Sequence, residues 1–221
     1  MEKQMIIDFH NHYFPPEYLD ALSEGGSHFR VTTDSAGNPV LHSPGDYNVI
    51  VSGHRDLNVR ERVDEAGIQM QVITFTAPGT SIETPERAVE LCQIVNSAFA
   101  SALRTRTDRF TSLGTLPMNA PEAAAEEVER VVGELGLPGV MLLSNASGVP
   151  LYEERFWPVY ERLNEAGAVI YIHPTYPVGV EVMKRFMLMP MVGFLMDTTL
   201  AAAGLISAAW GSPIADIPVA Y

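Results

Sequence analysis

The chain has 221 residues, 47% of them hydrophobic and 19% charged, which suits a globular domain large enough to bury a substantial core. Its 27 acidic residues exceed its 14 basic ones by 13, and no local Lys/Arg cluster offsets that excess. This balance argues against nucleic acid or an anionic membrane as a partner, because phosphate binding draws on basic side chains.

Taken in order, residues 5–9 read as a buried strand, closed by His10-Asn11-His12 and followed by Pro15-Pro16. Side chains alternate along a strand, so His10 and His12 point the same way, about 7 Å apart along the backbone. Asn11 faces the other side. Two imidazoles so placed can converge on one cation at about 2.0–2.1 Å per bond, although two exposed loop histidines would give the same tripeptide. Residues 17–23 can form a short helix. The stretch 25–53 is rich in Gly, Pro, Ser, Asn and Asp and predicts a long loop or small hairpin, part of an insert reaching about residue 55. His28, His42 and His54 fall there without ligand spacing and read as solvated.

Regular alternation begins after Leu57. Helices are expected over 59–66, 86–107, 121–135 and 152–165, and strands over 70–75, 110–116, 139–143 and 168–172. Cys92, the single cysteine, falls on an apolar position of the long second helix, which excludes an intrachain disulfide and fits a reducing compartment. The last strand runs into His173-Pro174, and two more helices are expected over 178–189 and 198–209. The N-terminus carries Glu2, Lys3 and Asp8 and lacks a signal peptide's apolar segment. The longest apolar run, 186–196, is about 11 residues and contains Pro190, too short to span a bilayer. The expectation is a soluble, cytoplasmic protein of one domain, 1–221.

Strands alternating with helices of this length imply a parallel sheet with right-handed crossovers, closed as a barrel or open and doubly wound. No glycine-rich turn follows the first strand, which favours the barrel. Chemistry in such a barrel sits at the C-terminal strand ends, where His10, His12 and His173 all fall. Three imidazoles suit Zn²⁺ first, with Mn²⁺, Fe²⁺ or Co²⁺ as alternatives. On its own, a histidine before a proline is also consistent with a structural role.

The segment Ile7-Asp8-Phe9-His10-Asn11-His12-Tyr13-Phe14-Pro15 resembles the opening of the amidohydrolase-related metal-dependent proteins, in the branch around aminocarboxymuconate-semialdehyde decarboxylase. The likeness continues through Arg62-Val63-Asp64-Glu65-Ala66-Gly67, Asp108-Arg109-Phe110, Leu143-Ser144-Asn145 and Ile172-His173-Pro174. It reaches Asp197-Thr198-Thr199-Leu200 and covers roughly 5 to 206. The resemblance implies a (β/α)₈ TIM-barrel fold of the α/β class, with Zn²⁺ or another divalent metal on His10, His12 and His173. It also implies a homodimer and a decarboxylation in which a metal-activated water protonates the substrate carbon and CO₂ departs. The substrate would be a small conjugated or aromatic carboxylic acid. A hydrolase of an ester, lactone or amide on the same scaffold, or an inactive fragment, are the other readings.

Two departures stand out. The family's substrate-binding Arg in the insert is replaced by Tyr47-Asn48-Val49. The pattern also stops after Ala203, without a sixth-strand His or an eighth-strand Asp. The expectation is a truncated member with five to six β/α units, an atypical tail over 207–221 and no assigned catalytic residue. Asp197 reads as a helix N-cap and Asp216 as solvated. Phe14 and Asn145 are candidates to line the substrate pocket, as is Ser144, each open to a purely structural role.

Overall fold

A computed structural model describes residues 5–43, 46–61, 65–104, 106–209 and 219–220. Strand β1 (Ile7–His12) leads into helix α1 (Pro16–Ser23), whose first position is a proline that has no N–H to leave unpaired. The insert holds the small hairpin that was one of its two expected forms, extended by a third strand. β2 (Arg30–Thr33), β3 (Pro39–Ser43) and β4 (Asp46–Val49) make a separate antiparallel sheet. Asp34 builds its first turn by accepting the N–H groups of Ala36 and Asn38, and Gly37 takes φ +81°. The helix expected over 59–66 is a 3₁₀ turn at Leu57–Glu61, and 62–64 lies outside the described residues.

The next elements follow the predicted order. β5 (Met70–Thr74), α2 (Pro85–Leu103) and β6 (Phe110–Ser112) come first. α3 (Pro121–Val128) continues as a π-helical turn, Glu129–Glu134, before β7 (Gly139–Leu143). A small hairpin, β8 (Asn145–Ala146) with β9 (Val149–Pro150), precedes α4 (Trp157–Glu165) and β10 (Val169–His173).

Beyond β10 the structure departs from the expected two helices. The first shrinks to a 3₁₀ turn, Val180–Met183, because Phe186 and Met187 take φ of 59° and 57°, left-handed conformations that stop a helix. Pro190 then starts a helix instead of interrupting one. A π-helical turn, Met189–Gly193, runs straight into α5 (Phe194–Ala209). This joined stretch, Met189–Ala209, is long and apolar enough by length and composition to cross a membrane, with 33% of its apolar window buried in the fold. The helix therefore continues well past the apolar run, which ends before Asp197. A last short strand, β11 (Val219–Ala220), pairs parallel with Ile170 and Tyr171 of β10.

The parallel strands form one arc in chain order. β1, β5 and β6 make one three-stranded sheet; β7, β10 and β11 make another. A parallel bridge between Gly114 and Val140 joins them. Helices cross between successive strands, which is the arrangement of a β/α barrel. The outward side chains of the strands meet the helices: Val140, Leu142, Ile170 and Ile172 pack with Val128, Val159 and Leu163. Ile73 and Phe75 pack likewise with Leu91, Val95 and Phe99. The inward side chains Val72, Leu113, Met141 and Tyr171 form a small cluster of their own. β7 and β10 approach so closely at their start that a Cβ on Gly139 would sit 2.1 Å from the Val169 carbonyl oxygen. Side-chain parity then puts Thr74, two residues past Val72, and His173, two past Tyr171, on the inner face at the strand ends.

Candidate metal centre

The end of β1 is bent by one extra residue. Asp8 pairs with Gln71 and Asn11 with Ile73, so three steps on β1 match two on β5. Such a bulge re-aims the side chains beside it. Asp8 supports it by accepting the His10 N–H at 3.0 Å, and Gln71 holds the second carboxylate oxygen at 3.1 Å.

From this strand end and from β10, three imidazoles meet. Ring centroids lie 5.1 Å apart for His10–His12, 5.1 Å for His10–His173 and 4.7 Å for His12–His173. One ring nitrogen from each lies within 4.8 Å of those of the other two, and no other such group of metal-binding side chains occurs among the described residues. His173 is buried, His12 half-buried and His10 exposed.

Neighbouring groups fix which nitrogens are free. The Thr74 hydroxyl gives its one proton to the Asn11 carbonyl at 2.8 Å, so towards His12 Nδ1, 3.0 Å away, it accepts. His12 therefore carries its proton on Nδ1. His173 Nδ1 lies 2.7 Å from the Pro174 carbonyl, an acceptor only, and is protonated for the same reason. That leaves both Nε2 atoms unprotonated, 3.2 Å from each other, with the Thr76 hydroxyl 3.4 Å from that of His173. Burial, with His173, His10, His54 and Arg60 adding to it, pushes the His12 pKa down to about 3. Burial lowers His173 to about 4, with the Pro174 carbonyl opposing and His10 reinforcing. Both rings are neutral at pH 7, the state in which imidazole binds metal. This set of donors fits a divalent cation.

Arg60 stiffens the site from the insert side. Its guanidinium donates to Asn11 Oδ1 at 2.8 Å, to the His12 carbonyl at 2.5 Å and to the Gly53 carbonyl at 2.9 Å. Asn11 thus works on the flank, away from the imidazole cluster. His54 is exposed on the rim, where burial and then Arg60 lower its pKa. A cavity of about 300 Å³ opens beside the cluster, with His12 and His173 in its lining and Phe14, Ile50, Met189 and Phe194 among its apolar walls.

Phe14 is 2% exposed and meets Phe75 edge-on at 5.5 Å, so it both packs and lines this cavity. Asn145 lies at a neighbouring cavity of about 420 Å³. Its amide N–H₂ donates to Asp197 and to the Tyr176 carbonyl, and its oxygen accepts from Gly148 N–H. Ser144 also donates to Asp197. Asp197 is no N-cap: α5 starts three residues earlier, at Phe194, and its carboxylate is buried. Asp216 lies outside the described residues. His28, exposed as expected, pairs with Glu83 at 3.0 Å, and His42 is bonded to Thr32 at 2.8 Å. Sequence reasoning missed Asp8, Arg60 and Thr74. The first stands two residues before His10, which was its only signal.

Residues 7–206 match the amidohydrolase family. The chain is 29% identical over 209 residues to 2-amino-3-carboxymuconate-6-semialdehyde decarboxylase of Dictyostelium discoideum, covering 92% of this chain and 58% of that protein. Among solved structures, IDCase of Metarhizium anisopliae aligns with a TM-score of 0.82 at 23% identity, covering 97% of this chain and 64% of that one. The dihydroxybenzoic acid decarboxylase of Polaromonas sp., solved with manganese and the inhibitor 2-nitroresorcinol, aligns with a TM-score of 0.74 at 24% identity, covering 98% and 65%. The chain thus spans less than two thirds of these relatives' lengths.

Proposed function

This chain belongs to the amidohydrolase family, and from that premise we propose that it binds one divalent metal on His10, His12 and His173 and decarboxylates a small aromatic or conjugated acid. The observation that carries the reading is the meeting of three imidazoles, two of them with unprotonated Nε2 atoms 3.2 Å apart, beside a cavity of about 300 Å³. Three nitrogen ligands suit Zn²⁺, and the manganese in the Polaromonas relative supports Mn²⁺ as the alternative. When bound, the ion supplies the positive charge that anchors an acidic substrate oxygen.

The chain's own groups do the rest. Thr74 and the Pro174 carbonyl keep the Nδ1 protons of His12 and His173 away from the ligand positions. Phe14 offers a flat apolar wall to an aromatic ring, and the walls around it limit water. Two of the relatives are decarboxylases, which favours CO₂ release over hydrolysis. We read the protein as a homodimer, a reading supported by the large apolar side chains left exposed on the final helical stretch, Met191 and Leu195 among them.

The test loads the purified chain with Zn²⁺ or Mn²⁺ and screens single-ring hydroxybenzoic acids for CO₂ release, with aryl esters in parallel. CO₂ release that disappears in His10→Ala supports the reading. Ester cleavage without CO₂ would replace it by a hydrolase, and stoichiometric metal with neither activity by a metal-binding chain without turnover.

A further inference from the structure

Asp197 is a carboxylate only 5% exposed, standing on a helix that could have buried an apolar residue there. Its hydrogen bonds run to the segment after β7 and the segment after β10. One oxygen accepts from the Ser144 hydroxyl at 2.5 Å and Asn145 Nδ2 at 2.9 Å, and the other from Val178 N–H at 3.0 Å. With its proton given to Asp197, the Ser144 hydroxyl has only lone pairs to offer Thr175 N–H, 3.1 Å away. The Ser144 N–H in turn donates to the His173 carbonyl at 2.8 Å. Ser144 therefore grips the chain on both sides of Pro174, and Pro174 supplies the carbonyl that orients the His173 ring.

We propose that Asp197 is a positioning residue for His173, acting through Ser144 and Thr175, and that it thereby sets the affinity of the imidazole cluster for its metal. The inference rests on the metal reading above. Thr175 and Tyr176, which wall both cavities, lie within the span that Ser144 and Val178 anchor, so the same carboxylate also shapes the space beside the cluster. The chemistry explains why an acid stands here: an amide at 197 has one oxygen for donors that arrive on both sides.

The experiment titrates the full chain with Co²⁺, following both affinity and the visible d–d spectrum at saturation. Four proteins are compared: wild type, Asp197→Asn, Ser144→Ala and Ser144→Thr. Glu83→Gln, which removes another buried carboxylate bonded to Ser27 and His28 in the insert, serves as the stability control. Asp197→Asn and Ser144→Ala are expected to weaken Co²⁺ binding about 10-fold and to alter the saturated spectrum. Ser144→Thr, which keeps the hydroxyl, should restore both, and Glu83→Gln should leave both unchanged. Should Asp197→Asn fail to fold, Ser144→Ala and Ser144→Thr decide alone. Wild-type affinity and spectrum in either disruptive variant would overturn the proposal. Absence of Co²⁺ binding in wild type would instead overturn the metal reading, and the proposal with it.

Discussion

His12 and His173 bring their Nε2 atoms within 3.2 Å, yet the proton on the opposite nitrogen is held in two different ways. For His12 the acceptor is a side chain, the Thr74 hydroxyl on the adjacent strand. For His173 it is main chain, the carbonyl of the very next residue. A side-chain acceptor vanishes with one substitution. A carbonyl stays whatever residue carries it and can only be displaced. The cluster thus has one imidazole oriented by a side chain and one oriented by backbone position.

The largest break in this comparison is removal of either ring. His12→Ala and His173→Ala should each leave two imidazoles and no stoichiometric metal after size-exclusion chromatography, by elemental analysis. Next comes Arg60→Met, which strips two hydrogen bonds from β1 and a third from the Gly53 carbonyl. It should cost about 2 kcal/mol in urea unfolding of the metal-free chain, as expected for bonds from a charged donor. A third test is pH. The unfolded imidazole titrates near 6.5, but burial holds His173 near 4. Above pH 6.5 neither state takes the proton, so stability is fully present. Between 6.5 and 4 only the unfolded chain takes it, so metal-free protein loses stability as pH falls. At pH 5 the His173 share of that loss is about 2 kcal/mol, and it should be missing in His173→Ala. Thr74→Val should weaken metal binding about 10-fold by freeing the His12 tautomer. Pro174→Ala, which keeps the carbonyl, should change it least, about twofold or less by the same titration.

The same contrast explains what was legible in the sequence. His10, His12 and His173 could be read because strand parity and strand-end position are local properties of short apolar runs. Their supporting groups could not. Thr74 meets His12 only through a register that depends on the β1 bulge, and Arg60 reaches back 48 residues to the His12 carbonyl. Asp197 was misread because the last helix was expected to begin at Thr198, whereas it begins at Phe194, running on from the turn that Met189 and Pro190 open. In the insert a small hairpin was one of the two expectations, and Asp34 and Gly37 spell its turn; the third strand was hidden by polar composition. The strand alternation, by contrast, was plain, because strands covered on their outer face by helices must be apolar for most of their length.

Because every strand of the arc lies beside its predecessor in the chain, the sheet is ordered in the direction in which a ribosome makes it. Among the described residues each later strand of the arc emerges next to a template already laid down. The imidazoles do not share this convenience. His12 and His173 are separated by 161 positions, so the first two imidazoles leave the ribosome long before the third. During synthesis the nascent chain offers only a two-nitrogen chelate, and the full nest closes once β10 has joined the edge. On the proposed metal reading, capture by all three imidazoles would be a late event in the birth of this protein, one that reports on the assembly of the strands between.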